Sequence, residues 1–173
     1  VALDPPDDEV VELSQLVRFF EGPVRHLIET RLGIDMRDRL VEVPDREPVE
    51  LEPLEAYEVG RQLLDMCLAD LSEEETARLL RASGALPVGT PGVCAHADAL
   101  AQARPIAAHV RRVRGGDARP GFLVDGEIDG YRLRGELGDL FPGGAIRHQY
   151  ARVSGKSLVA LWVRHLIGCW QGA

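Results

Sequence analysis

The stretch Ala145-Ile146-Arg147-His148-Gln149-Tyr150-Ala151-Arg152-Val153-Ser154-Gly155-Lys156-Ser157 leads from a strand-like run, Ala145 to Val153, into a helix-like run, Leu158 to Trp170. Lys156 is the only lysine in the chain, and no Asp or Glu occurs from Leu140 to the end. A phosphate-binding loop and a metal-dependent nuclease both place a lysine between a strand and a helix. Both also need acidic partners, so the residues around Lys156 decide between them.

Gly155-Lys156-Ser157 copies the end of a G-x-x-x-x-G-K-[ST] loop, but the first glycine would fall at Tyr150. Without it the backbone N–H groups cannot wrap a phosphate, and no acid follows to hold Mg²⁺. The segment therefore reads as a helix start capped by Ser154 or Ser157. A nuclease of the PD-(D/E)xK type sets carboxylates on two neighbouring strands, because Mg²⁺ requires hard oxygen ligands. The preceding strand offers Glu136 and Asp139, whereas the Ala145–Val153 run offers Arg147, His148 and Gln149. The residue two before Lys156 is Ser154.

Working outward, Phe122–Glu127, Tyr131–Phe141 and Ala145–Val153 are separated by Asp129-Gly130 and Pro142-Gly143-Gly144. These turn signals predict an antiparallel meander of three strands. The helix after it is apolar nearly all round, which predicts burial on more than one side. Upstream, residues from about 13 to 115 read as helical. Leu13–Phe20 is a helix with Ser14 as N-cap, and Pro23 opens a second that closes at Gly33. Residues 35–53 read as a loop with a short extended piece at 49–51. A further helix runs from about Leu54 to Ala69, with Leu64, Cys67, Leu68 and Leu71 at helical spacing. Ser72-Glu73-Glu74-Glu75 is a capping box that opens another. Thr90-Pro91 caps a long helix reaching Gly115-Gly116, in which Pro105 should cause a kink or a split. Val1–Glu12 reads as a flexible acidic lead-in.

Composition limits the function classes. With 173 residues, 45% of them hydrophobic, the chain suits one domain with a real core. No apolar run approaches the ~20 residues of a membrane span. The three cysteines, Cys67, Cys94 and Cys169, are few and far apart, which argues against a disulfide framework and fits a reducing, cytoplasmic setting. No G-x-S-x-G elbow and no H-x-x-x-H pairing occurs. The net charge of −8 is uneven: residues 1–100 hold 22 acids and 9 arginines, and residues 101–173 hold 6 acids and 11 cations. Arg111, Arg112, Arg114, Arg119, Arg132, Arg134, Arg147, Arg152 and Lys156 of the basic half are candidates to meet DNA phosphate or an acidic protein surface.

Several motifs occur in a familiar order. Leu13-Ser14-Gln15-Leu16-Val17-Arg18-Phe19-Phe20-Glu21-Gly22-Pro23-Val24-Arg25 resembles the opening L-x-x-L-x-x-F-F-x-x-P-x-R of RecB-like nuclease domains. Gly135-Glu136-Leu137-Gly138-Asp139-Leu140 and Ile146–Tyr150 look like later motifs of that group. Leu54-Glu55-x-Tyr57-x-x-Gly60-x-x-Leu63-Leu64 and Leu158–Cys169 are similar to the C-terminal, nuclease-like domain of the RecC family.

That resemblance implies a mixed α+β fold with a degenerate PD-(D/E)xK restriction-endonuclease-like core. It implies a single domain over 13–173, from a longer chain. Active relatives carry a motif-II Asp where this chain has Gly138, with Asp139 one position later. Where they carry D-x-K, this chain has Arg147 or His148 followed by Gln149 or Tyr150. An early-helix His is replaced by Arg61 or a neighbour. The implied function is a non-catalytic scaffold and DNA-channel domain, without cofactor, metal or catalytic residue, in a double-strand-break repair complex with RecB- and RecD-like subunits. The alternatives are an active Mg²⁺-dependent nuclease using Glu136, Asp139 and Lys156, and a pure protein-interaction module.

Overall fold

Asp129 and Gly130 both take positive φ (50° and 84°), so they form a tight two-residue turn that folds the chain back on itself. The result is a hairpin of β2 (Phe122–Ile128) and β3 (Tyr131–Leu137), with Ile128 opposite Tyr131 and Phe122 opposite Leu137. The computed structural model describes residues 10–34 and 50–172.

The third strand of this sheet is β1 (Val10–Glu12), which lies parallel to β3 and makes the order β1-β3-β2. The expected meander is thus corrected. The lead-in supplies a strand, and the Ala145–Val153 run does not. Beyond a two-residue pairing of β4 (Leu140–Phe141) with β5 (Gly144–Ala145), residues 146–153 have no regular structure. With β1 on one edge of β3 and β2 on the other, β3 has no edge left for them.

The described residues fall into two compact units. One comprises 10–34, 118–140 and 153–172, and the other 50–117 and 141–152. In the first unit, α1 (Leu13–Glu21) and α6 (Gly155–Gln171) cover the sheet. Its core joins Leu13 and Val17 to Val124, Leu133 and Leu137, and to Ala160, Val163 and Ile167. Gly135 sits at φ 154° where α1 starts; a Cβ there would lie 2.6 Å from that of Leu13. Pro23 opens α2 (Pro23–His26), which runs into a π-helical turn (Leu27–Arg31) before Gly33 at φ 66°. Ser14 is not the cap of α1; Glu12 holds that position without a side-chain bond.

The second unit is helical. It contains α3 (Pro53–Leu68), α4 (Glu73–Ala82) and α5 (Thr90–Arg114) around Val59, Leu63, Leu64, Leu80, Leu100, Ala103 and Ala107. The Ser72 capping box forms as expected: Glu75 N–H donates to Ser72 Oγ at 3.3 Å, and Ser72 N–H donates to Glu75 Oε2 at 2.9 Å. Glu52 and Glu55 build a second box at the start of α3. Gly89, not Thr90, caps α5, and Pro105 does not split it. Proline removes one backbone bond there, while Leu100, Ala103, Ala107 and Val110 are buried on both sides of it. The expected loop at 35–49, with the first residue of the extended piece at 49–51, lies outside the described residues, and Glu50 and Leu51 form no strand.

The expectation that α6 is buried on several sides is also corrected. Only Ala160, Val163 and Ile167 are buried, while Leu158, Trp162 and Leu166 are half or more exposed. Its unit offers a small sheet and α1 to pack on, which covers a single stripe.

Candidate functional site

In the first unit the site residues gather on the β2–β3 hairpin and at the start of α6. Arg132 reaches across to Asp125, with Nε at 2.7 Å from Oδ1 and a terminal nitrogen at 2.9 Å from Oδ2. Arg134 Nε lies 3.6 Å from the same carboxylate. Hydrogen bonds from Arg132, and then the charge of both arginines, hold the Asp125 carboxyl below its usual range. Two of the nine candidate cations therefore share one anion across the strands.

Glu136 is exposed near the end of β3, with its carboxylate over Gly121; a Cβ at Gly121 would overlap Glu136 Oε1. Asp139 is exposed at φ 59° between β3 and β4. Lys156 is exposed in the first turn of α6, where Ser154 Oγ accepts from Ser157 N–H at 3.3 Å. Gly155-Lys156-Ser157 is thus a helix start. Among the described residues no three His, Cys, Asp or Glu side chains come together as ion ligands. Arg119 is exposed, and its backbone N–H donates to Leu140 O at 2.7 Å.

In the second unit, the segment expected as a metal-bearing strand is held by α3 and α5. Tyr150 fills the space over Gly60, where a Cβ would meet its ring at 2.0 Å, and its ring centroid lies 6.3 Å from that of Tyr57. His148 Nε2 is 3.6 Å from Asp65 Oδ1, and an Arg114 nitrogen is 3.3 Å from His148 Nδ1. Arg114 also lies over the Phe141 ring, 4.4 Å from its centroid, and its carbonyl accepts from Gly143 N–H at 3.0 Å. These anchors explain why 146–152 leaves the sheet: a tyrosine packed on a glycine hollow and a polar chain to α3 replace a strand pairing.

The other cations of this unit divide the same way. Arg111 donates to the Cys67 carbonyl and to Asp70 at 2.5 Å. Arg112 donates to His109 Nδ1 at 2.9 Å, and Arg147 and Arg152 are exposed. The nine candidates are therefore distributed over both units. Arg111, Arg114, Arg132 and Arg134 serve internal contacts as well.

Two polar features went unremarked in the sequence. Arg61 bonds Glu58 at 2.6 and 3.0 Å and Asp65 at 3.3 Å; with Gln62 it holds the Glu58 carboxyl down at about 2. The i,i+3 and i,i+4 spacing was the available signal. The second is the buried pair of His96 and Thr76 at 3.0 Å, which no local pattern announces.

The family described as RecC C-terminal domain matches residues 8–170. The chain belongs to the RecC C-terminal domain family. Its relatives include the RecBCD enzyme subunit RecC of Escherichia coli (strain K12), 31% identical over 166 residues, or 95% of this chain and 14% of that protein. The subunit of the same name from Mycobacterium tuberculosis (strain ATCC 25618 / H37Rv) is 28% identical over 162 residues, 93% of this chain and 15% of its own. That from Buchnera aphidicola subsp. Acyrthosiphon pisum is 22% identical over 160 residues, 92% and 15%. The chain thus spans about a seventh of these relatives, and the RecC C-terminal domain match runs through both units.

Proposed function

We propose that this chain is a non-catalytic domain of a RecBCD-type helicase–nuclease, in which it helps assemble the complex and guides DNA during double-strand-break repair and recombination. The observation that carries this reading is the family match across residues 8–170, to relatives named as RecC subunits of the RecBCD enzyme. Its partners would be RecB- and RecD-like subunits and DNA, in the cytoplasm. We further propose a degenerate nuclease-like core in one domain that includes β1 and so begins a few residues before the expected boundary at residue 13. The arrangement of Glu136 and Asp139 supports the loss of chemistry. Both are exposed on or after β3, and the segment that would bring a facing ligand is packed on α3 instead.

Exposed cations such as Arg112, Arg119, Arg147, Arg152 and Lys156 suit phosphate contacts, which position a duplex or strand without reading sequence. The test uses the full-length parent with its partner subunits. DNA affinity should fall with salt, and removing one phosphate-contacting arginine should reduce the slope by about one. An absent slope would favour a pure interaction module. Mg²⁺- or Mn²⁺-dependent cleavage by the parent alone, abolished by Glu136→Ala, would replace this reading with an active nuclease using Glu136, Asp139 and Lys156.

A further inference from the structure

The outer face of the three-strand sheet carries a checkerboard of charge. Side chains alternate along a strand, and Val124, Leu133 and Leu137 are buried on the inner side. Arg132, Arg134 and Glu136 therefore share the outer face with Leu123, Asp125 and Glu127 of β2 and with Val10 and Glu12 of β1. The register sets Arg132 opposite Glu127, and Arg134 between Asp125 on one side and Glu12 on the other. Among the described residues, four carboxylates thus surround two guanidinium groups on this face, and all six side chains belong to exposed residues.

Arg132 grips both oxygens of Asp125, at 2.7 and 2.9 Å, and Arg134 lies 3.6 Å from the same group. This fork-to-fork pairing occupies the parallel N–H donors with which an arginine would clasp a phosphate. An exposed ion pair is weak, so a phosphate can compete for those donors. A phosphate that displaces the carboxylate does not remove it, however. Neighbouring strands lie about 4.8 Å apart, so Asp125, Glu12, Glu127 and Glu136 all stay within about one Debye length, roughly 8–10 Å, of a phosphate at the centre of the face. Two positive charges against four negative ones leave a net repulsion. Arg112 is placed differently: it donates to the His109 imidazole at 2.9 Å, and no carboxylate occurs in the sequence between Asp98 and Asp117.

We infer that Asp125, backed by Glu12 and Glu127, keeps the outer face of the sheet from binding the DNA backbone, so that Arg132 and Arg134 are not phosphate contacts of this domain. This deepens the DNA-guiding reading, by naming a face withheld from the duplex, and rests on it for its role in the complex.

The test is the binding of a duplex oligonucleotide by the full-length parent across a salt series. Arg132→Ala combined with Arg134→Ala should change the affinity by less than about twofold and leave the salt slope as it is. Asp125→Asn combined with Glu127→Gln should tighten binding about tenfold or more at low salt, and steepen the slope by about one for each arginine that reaches a phosphate. Adding the two alanine substitutions to that background should cancel the gain. A slope that falls in the alanine pair would overturn the inference, because the unaltered face would already be holding phosphate. Unchanged binding in the carboxamide pair, or in Asp125→Asn alone should the pair not fold, would overturn it as well. The DNA-guiding reading fails by a different result, an unaltered parent without any salt slope. The carboxamide pair then still decides the inference, by acquiring a slope or not.

Discussion

Thr76 Oγ1 has one proton, and the Glu73 carbonyl at 2.8 Å receives it. His96 Nε2, 3.0 Å away, must then donate to Thr76, which fixes the neutral tautomer with its proton on Nε2. Burial is the main force that pushes the His96 imidazole below its ordinary 6.5; nearby Arg81 and Arg104 add to it and Glu73 opposes. In the folded state His96 therefore stays neutral at a pH where the unfolded chain would protonate it. Stability is full above about 6.5 and falls as the pH drops from there through the folded value. Urea midpoints measured from pH 8 to pH 5.5 should decline across that window, and His96→Gln should flatten the decline. A decline of equal size in His96→Gln would remove His96 as the cause.

At the scale of elements, some helix and hairpin borders were legible because their signals are local, although Ser14 and Thr90 are not caps. Ser72-x-x-Glu75 states a helix start, Asp129-Gly130 a turn, and Ser154 or Ser157 the cap of α6, which Ser154 supplies. The fate of 146–152 was not legible in the same way. Alternating apolar residues describe a half-buried segment, but not the surface that buries it. That surface is the hollow at Gly60, some 90 residues earlier, and β1 had already taken the edge of β3. The exposure of α6 escaped for a similar reason, since apolar composition does not say how much cover is nearby. In the candidate site the cations were legible one by one, but their anionic partners, Asp125 and Asp70, depend on which strand and helix end face them. The anchor itself can be tested. Gly60→Ala should cost about 1–3 kcal/mol by overpacking against the Tyr150 ring. Tyr150→Ala in the same background should recover part of that loss. Simple additivity in this double-mutant cycle would mean that the two positions do not meet.

For the whole molecule, both units are discontinuous in sequence, and the second is inserted within the first. Ending the chain after Arg152 deletes α6 and uncovers Leu13, Val17, Val124, Leu133 and Leu137, while the core of the helical unit loses none of its residues. Amide hydrogen exchange should then show β2 and β3 unprotected and α3, α4 and α5 still protected. Equal loss of protection in the three helices would mean that the units fold as one.

The same discontinuity governs how the chain is made. Leu13 and Val17 leave the ribosome about 150 residues before Val163 and Ile167, roughly 8–30 s at 5–20 residues per second. The helical unit is built within the same interval and lacks only its short return segment from Asp117 until Arg152 emerges, about a quarter of that time. The sheet-bearing unit has only β1 and α1 for most of that interval and then a hairpin without its last helix for about 30 residues more, and that wait is when a nascent-chain chaperone has most to do.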